Sequence, residues 1–386
     1  MNKNLWLLIL SQIFAFTAAP VTVFLSGIIG NKFTPIKSLA TLPMALSIVG
    51  IAIFAIFAAK IMSIIGRRLG FILASIGSSV ASLIAAFSII IESFIFFNLG
   101  CFLLGAGVAF SHQYRFAAVE TVNKEMAPKA ISIILLAGIG SAFIGPNLAN
   151  ISKELISNHL YAGSYIILAI LTFCSTIFLL FYNDNHKPNA IYKKTTRSYF
   201  ELLSNPRFLQ ALIASAFAYA VMSFLMTATP ISMHVMEKIN LTKTGFVIQT
   251  HIAAMFLPSL ITGNLIKKYG HSKIMYTGVV LFSVTIITSL FDQNFINYLI
   301  ALIFLGFGWN FLFISGTSLL VTTYKPEEKF KAQGFNDLLV FSSMALASLS
   351  AGILISLTSW KTVNLLCIPF LILIILSIIN ADRKTK

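Results

Sequence analysis

Long apolar runs alternate with short polar segments along the whole chain. Crossing a bilayer takes about 20 residues of helix, and twelve of these runs reach that length. They form two sets of six, at 5–29, 39–59, 71–91, 94–118, 130–150 and 161–182, then 208–230, 244–266, 274–291, 295–322, 334–357 and 362–380. The pattern predicts an all-α integral membrane protein with twelve transmembrane helices in two pseudo-symmetric six-helix bundles.

The longest polar connection separates the two sets of runs. It spans residues 183–207 and divides the chain into predicted bundles at 1–182 and 208–386. Within it, Ser198 and Glu201 have the spacing of a helix capping box. We therefore predict a cytoplasmic linker that contains a short helix, either on the inner membrane surface or as part of a polar connection.

Basic residues concentrate in alternate loops. Of the 27 Lys and Arg residues, 20 fall on the side of the N-terminus when each run crosses once, six fall on the other side, and Arg115 lies inside the fourth run. Cytoplasmic loops carry such an excess, so both termini are predicted to be cytoplasmic, in a bacterial inner membrane. Because the charges are spread over loops, the net charge of +15 does not indicate a nucleic-acid surface.

Composition excludes other classes. Hydrophobic residues make up 58% of the chain and charged residues only 10%, whereas soluble domains carry about 25% charged residues. The apolar stretch at the N-terminus runs on to residue 29, which is longer than the core of a signal peptide. Cys101, Cys174 and Cys367 all lie within predicted helices, so we expect neither a disulfide, nor a bound metal, nor a redox cofactor.

Short motifs recur in the two halves. Gly66-Arg67-Arg68, which follows the second run, has a counterpart after the eighth run in the segment from Gly263 to Gly270-His-Ser-Lys273. Gly105-Ala-Gly107 similarly matches Gly306-Phe-Gly308. Charged loop motifs in the same register indicate an internal duplication.

These motifs resemble the major facilitator superfamily, in which two halves of six helices are related by a repeat. The family's loop after the second helix reads Gly, any residue, Leu, Ala, Asp and then, two residues on, Gly-Arg-Arg or Gly-Arg-Lys. Gly66, Arg67 and Arg68 fit this pattern, as do Gly263 and Gly270 in the second copy. The first copy departs from it at Ala59, in place of Gly, and at Ser63, in place of Asp; the second carries Lys267 at the Asp position.

The resemblance implies a monomeric secondary active transporter that moves a small organic solute by alternating access. The fifth helix carries Gly138, Gly140, Ser141, Gly145 and Pro146, a pattern similar to the glycine-rich signature of exporters, and gives a slight lean to export. The alternative is an uptake permease for a metabolite, vitamin or siderophore. A membrane enzyme or a channel-like protein is the alternative of another class.

Ionisable residues at membrane depth are functional candidates, because charges are costly in hydrocarbon. His112 and Arg115 share one face of the fourth helix, and Asp337 lies near the inner end of the eleventh. We predict that these three residues form part of an inner gate or a coupling site, in which Arg115 and Asp337 pair across the halves. The alternative is that Arg115 extends to the lipid headgroups.

The predicted solute site draws on amides, an imidazole and an indole near the membrane midplane. Its candidates are Gln12, Gln249, His251, Trp309 and Asn310. Aromatic walls with a few polar groups suit a flat organic solute, aromatic or anionic. His251 titrates near neutral pH, so proton coupling is predicted to rest on the histidines or on Asp337.

Overall fold

The computed structural model describes residues 3–34, 39, 42–184 and 197–384. These residues contain no strand and form seventeen α-helices. The helices are α1 Lys3–Ala15, α2 Ala18–Phe33, α3 Leu42–Ile65, α4 Arg67–Ile90, α5 Phe94–Ser111, α6 Tyr114–Glu120, α7 Ala127–Ile151, α8 Ala162–Leu179, α9 Tyr199–Leu203, α10 Pro206–Pro230, α11 Leu241–Phe256, α12 Ser259–Tyr269, α13 His271–Ser289, α14 Phe295–Val321, α15 Lys329–Leu357, α16 Trp360–Leu365 and α17 Ile368–Lys384.

Twelve helical segments among the described residues are long and apolar enough to cross a membrane. They are Lys3–Val23, Leu42–Ile65, Arg67–Ile90, Phe94–Glu120, Ala127–Ala149, Ala162–Leu179, Pro206–His234, Lys243–Tyr269, His271–Ser289, Phe295–Val321, Pro326–Ile355 and Trp360–Lys384. The predicted fold class is confirmed. We refer to these segments as the first to the twelfth span.

Several predicted boundaries need correction. The predicted turn between the second and third spans is a single residue, Gly66, and the turn between the eighth and ninth is Gly270 alone. Gly66 has φ 84° and ψ 164°, and Gly270 has φ 85° and ψ 161°. This backbone region is open essentially only to glycine. The helix of the eleventh span begins at Lys329, so Asp337 lies about two turns inside it and not at its start.

Four of the spans are interrupted, which the hydrophobic pattern does not predict. The first span breaks at Phe16–Thr17, the fourth at His112–Gln113, the eighth at Leu257–Pro258 and the twelfth at Leu366–Cys367. The seventh span ends in a π-helical turn over Ile231–Met236. Breaks in a membrane helix free backbone groups that must find other partners within the protein.

The chain divides into two compact units. Unit 1 comprises Met1–Val122, Ala137–Lys193 and Gln333–Leu338, and unit 2 comprises Asn123–Leu136, Lys194–Ala332 and Leu339–Lys386. In unit 1, α5 packs against α3 and α4, and α8 packs against α4 and α1. In unit 2, α14 packs against α10, α11 and α13. The domain boundaries at 182 and 208 stay a prediction.

Of the described residues of the predicted linker, 183 and 184 belong to unit 1 and 197–207 belong to unit 2. Ser198 and Glu201 form the predicted capping box at the start of α9, which confirms the short helix. Arg197 hydrogen bonds to Glu328 at 2.7 and 2.9 Å, and this hydrogen bond raises the pKa of Arg197 above its usual value. Residues 185–196 of the predicted linker lie outside the described residues.

Candidate gate residues and candidate solute site

The first motif loop is stabilised by a carboxylate that lies far from it in sequence. Asp184 Oδ2 accepts hydrogen bonds from the backbone N–H groups of Arg67 at 2.5 Å and Arg68 at 3.2 Å, at the start of α4. A negative charge at a helix N-terminus satisfies free N–H groups and favours the helix dipole. The Arg68 side chain donates to the carbonyl of Leu180, which follows the last residue of α8. Asp184 thus supplies a carboxylate to a loop that has Ser63 at the Asp position.

The Arg67 guanidinium is the centre of a buried polar cluster in unit 1. Its side chain is 1% exposed and pairs with Glu120 through two hydrogen bonds, at 2.7 and 2.9 Å. It also donates to Gln333 at 2.7 Å and to Gln113 at 3.4 Å. Burial raises the pKa of the Tyr182 hydroxyl well above its usual value, and this effect outweighs the opposing charge of Arg67. The bidentate geometry suits Arg rather than Lys.

A second buried ion pair joins Arg115 and Asp337. The two side chains are 2% and 0% exposed and are hydrogen bonded to each other. Asp337 also accepts from the Gln113 amide at 2.6 Å and from the Asn336 amide at 3.0 Å. A buried charge pair is favourable only when its remaining hydrogen-bonding positions are filled. Gln113 contacts both Arg67 and Asp337, so it links the two clusters.

The glycine position of each motif loop is a site of close packing. In unit 1, Ala59 occupies this position and faces Gly334, where an added Cβ would lie 2.7 Å from the Ala59 Cβ. In unit 2 the glycine is kept at Gly263, where an added Cβ would lie 2.8 Å from the Lys129 Cα and 2.8 Å from the Ser132 hydroxyl. Each contact therefore contains one glycine. In unit 1 the glycine is Gly334, opposite the motif position, and in unit 2 it is Gly263, at the motif position.

The remaining predicted gate residue and two predicted solute residues lie elsewhere. His112 packs edge-on against Phe16, with ring centroids 5.4 Å apart, so the break in the fourth span contacts the break in the first. Gln12 lies in unit 1 and is 5% exposed. Gln249 in α11 is exposed. Of the three predicted gate residues, the structure joins Arg115 and Asp337 by a hydrogen bond.

Trp309 is the centre of an aromatic cluster in unit 2. Its ring stacks on Phe313 with centroids 5.1 Å apart and an interplanar angle of 19°. The ring of Tyr219 is edge-on to both, at 5.2 and 4.9 Å. Phe341 and Phe256 complete the cluster, at 5.7 Å from Tyr219 and 6.0 Å from Trp309. The Trp309 indole N–H is buried and has no hydrogen-bond partner among the described residues.

His251 and Asn310 connect the eighth and tenth spans. The His251 Nδ1 lies 2.8 Å from the carbonyl oxygen of Leu302, so Nδ1 carries the proton in the neutral ring and Nε2 is an acceptor. Nε2 is buried without a partner among the described residues. The Asn310 amide is hydrogen bonded within unit 2, to Met255, Ser259 and Thr262.

Comparison with known proteins identifies the family. The sequence profile of the Major Facilitator Superfamily matches residues 5–250 and 212–386. The chain is 35% identical over 381 residues to the riboflavin transporter RfnT of Brucella anthropi, covering 98% of this chain and 95% of that protein. The chain belongs to the major facilitator superfamily. It is therefore a membrane transporter, and its relatives and fold are not those of an enzyme.

Other superfamily members agree with this assignment. YddS of Bacillus subtilis, an uncharacterised transporter of the superfamily, is 28% identical over 94% of this chain and 87% of its own length. The crystal structure of the human organic anion transporter MFSD10 (TETRAN) aligns with a TM-score of 0.75 at 12% identity, over 97% of this chain and 99% of that one. This last likeness shows the fold.

Sequence reasoning missed part of the polar network of this superfamily member. It did not single out Asp184 or Gln333, and Glu120 is not among the predicted gate residues. Glu120 is the last residue of α6 and pairs with Arg67. One sequence signal could have pointed to Asp184. Ser63 stands where the family has Asp, and the missing carboxylate predicts that another acceptor lies near the loop.

Proposed function

We propose that this transporter is an uptake permease for riboflavin or a closely related flat heteroaromatic solute. The observation that carries the proposal is the 35% identity to a riboflavin transporter over 98% of the chain. Independently of this relative, the sequence predicts a flat organic solute from the aromatic and amide candidates. The transport of a small solute follows from the family, and its identity is the proposal.

The aromatic cluster around Trp309 supports a planar ligand. Stacked and edge-on rings at centroid distances of 4.9 to 5.2 Å are the arrangement that a further aromatic ring joins favourably. The Trp309 indole N–H is a donor with no partner among the described residues, and His251 Nε2 is an acceptor that also has no partner among them. The isoalloxazine ring of riboflavin is flat and carries both carbonyl acceptors and an imide N–H donor.

The direction of transport is proposed as uptake. The lean to export rests on the glycine-rich fifth helix, and two of those glycines have packing roles in unit 1. A Cβ on Gly140 would lie 3.3 Å from two carbons of the Ile13 side chain, and one on Gly145 would lie 3.0 Å from Val21. Small residues at such positions allow membrane helices to approach closely. This packing role accounts for the glycines without an export function.

Gating and proton coupling are proposed for the Arg115–Asp337 pair. A proton on Asp337 would neutralise its carboxylate and weaken the charge-assisted hydrogen bond to Arg115, which would release the gate. Uptake would then depend on the proton gradient. A protonophore should abolish accumulation of riboflavin but leave exchange of internal for external riboflavin intact, whereas accumulation that persists would exclude the coupling.

The test is riboflavin transport by the purified chain in vesicles. Tritiated riboflavin should enter vesicles preloaded with unlabelled riboflavin, with saturable counterflow, as expected for a carrier and not for a channel. Lumichrome, which has the ring without the ribityl chain, should compete, and ribitol should not. Absence of both counterflow and riboflavin binding would overturn the proposed solute.

A pair of tryptophan variants localises the ring site. Trp309→Phe removes the indole N–H and Trp309→Ala removes the ring. KM for riboflavin should therefore rise about two- to tenfold for the alanine variant, given the ~0.5–1.5 kcal/mol of an aromatic pair beyond area burial. Trp360→Phe is the matched control, because Trp360 is equally buried but packs on Tyr298, outside the cluster. It should leave KM unchanged.

A further inference from the structure

The break in the eighth span lies at a proline. Helix α11 ends at Phe256 and α12 begins at Ser259, with Leu257 and Pro258 between them. Pro258 has no N–H to donate to the preceding turn, and the last carbonyls of a helix lack intrahelical donors. In a membrane these carbonyls need partners within the protein.

Asn310 of the tenth span supplies hydrogen bonds on both sides of this break. Its Nδ2 donates to the carbonyl oxygen of Met255, in the last turn of α11, at 2.6 Å. The same nitrogen donates to the Ser259 hydroxyl at 2.7 Å, and Oδ1 accepts from the Thr262 hydroxyl at 2.7 Å, both in α12. Asn310 is 0% exposed. One amide side chain thus joins the two helices across the proline.

The tenth span reaches the eighth closely enough to make these bonds because of Gly306, one turn before Asn310. A Cβ on Gly306 would lie 2.8 Å from the Ala254 Cβ and 2.9 Å from the His251 carbonyl oxygen. Leu302, one turn earlier still, accepts from His251. Residues 302, 306 and 310 recur every four positions, so they share the face of α14 that contacts the eighth span.

We propose that Asn310 is a positioning residue, which fixes the tenth span against the Pro258 break and thereby sets the place of Trp309 in the aromatic cluster. Trp309 immediately precedes Asn310, so a shift of the Asn310 backbone moves the indole ring that is proposed to bind the solute. The inference rests on the proposed solute site for its effect on KM. Its effect on the break does not depend on the solute.

The variant Asn310→Leu tests this role, because leucine fills a similar volume without hydrogen bonds. We expect KM for riboflavin to rise about tenfold, because Trp309 is then no longer held in its place in the aromatic cluster; a tenfold change corresponds to about 1.4 kcal/mol. A merely structural defect would lower Vmax by reducing the amount of folded carrier and leave KM unchanged. That result would overturn the proposal.

The second arm repeats the change in a Pro258→Ala background. Alanine removes the ring that interrupts the helix, so α11 can continue into α12 and the Ser259 N–H can reach the Met255 carbonyl oxygen in place of Asn310 Nδ2. Asn310→Leu should then raise KM less than about threefold, because the two positions are coupled. An equal rise in both backgrounds would contradict the clasp, by which we mean the hydrogen bonds of Asn310 to Met255, Ser259 and Thr262 across the break. Asn364→Leu is the matched control, because Asn364 is also 0% exposed and donates to the Trp360 carbonyl oxygen of its own helix. This variant should have the same KM for riboflavin as the wild type.

A substrate-independent readout separates this inference from the proposed solute. The melting temperatures of the wild type, the two single variants and the double variant form a thermodynamic cycle. A coupling in this cycle supports the clasp even when the wild type binds no riboflavin, a result that overturns only the proposed solute. Additive melting temperatures overturn the clasp, whichever solute is carried. Thr262→Val removes the hydroxyl that lies 2.7 Å from Asn310 Oδ1 and 2.8 Å from the Pro258 carbonyl oxygen and keeps the side-chain shape. It should give a smaller effect of the same sign.

Discussion

Removing the carboxylate of Asp337 should destabilise this transporter strongly. The Asp337 side chain is 0% exposed and its partner Arg115 is 2% exposed, so Asp337→Ala leaves a charged group in a site built for a pair. Breaking a buried pair in this way costs about 3–5 kcal/mol. Since 1.4 kcal/mol is a factor of ten, the loss corresponds to a factor of about 10² to 4 × 10³ in the equilibrium constant of unfolding.

The assay is a double-variant cycle, read by denaturation of the purified protein in detergent. Replacing both residues of a buried pair by apolar ones is often neutral or stabilising, so Arg115→Leu with Asp337→Leu should recover most of the lost stability. The control is the Arg207–Asp382 pair, at 2.7 Å but with 29% and 36% exposure. Breaking that pair should cost only about 0–1 kcal/mol.

The transport consequence separates a gate from a structural ion pair. The doubly apolar variant should fold but lose the dependence of riboflavin accumulation on the proton gradient, because it has no carboxylate at position 337 to accept a proton and no Arg115 to release. If Asp337→Ala proves as stable as a variant in which the Arg207–Asp382 pair is broken, the argument from burial is wrong. If the double variant keeps proton-driven accumulation, the pair is not the coupling site.

Three further predictions follow from the clusters. Gly334→Ala should reduce stability by about 1–3 kcal/mol through overpacking, and adding Ala59→Gly should restore it; failure of this rescue in thermal unfolding would place the clash elsewhere. Asp184→Ala should cost about 0.5–2 kcal/mol through the loss of a helix cap, with partial recovery on adding Ser63→Asp, measured by the same method. His251→Leu should raise KM for riboflavin while His251→Gln, which keeps an acceptor, should change it less; equal effects would exclude a hydrogen bond from His251 to the solute.

The fold was predictable because the bilayer imposes it. A span requires a fixed length of apolar residues, so twelve runs in the sequence correspond to twelve spans among the described residues. The Arg115–Asp337 contact was also within reach, because ionisable residues inside runs are few and must pair. The breaks were less accessible: His112–Gln113 contains neither glycine nor proline, and only the eighth span has a proline at its break.

The partners of the motif loop were not predictable from the same reasoning. Asp184 binds backbone N–H groups. Every residue except proline has such a group, so the sequence does not indicate which residues Asp184 will contact. Gln333 is a neutral amide whose acceptor role depends on the position of Arg67. Hydrophobic patterning specifies which residues are buried but not which buried polar groups meet, since that depends on helix rotation within a unit.

Two departures of this chain from the family pattern, at Ala59 and Ser63, are each matched by a residue on the other side of the contact. A close helix contact needs one residue without a Cβ, and it is met by Gly334 opposite Ala59 in unit 1 and by Gly263 opposite Ser132 in unit 2. A helix N-terminus needs an acceptor, and at α4 Asp184 provides it where Ser63 does not. The contact requires one glycine, and the helix N-terminus requires one acceptor. Either of the two facing segments can supply that residue. A motif with two substituted positions can thus keep these contacts, and the rescue variants Ala59→Gly and Ser63→Asp are the sharpest test of this explanation.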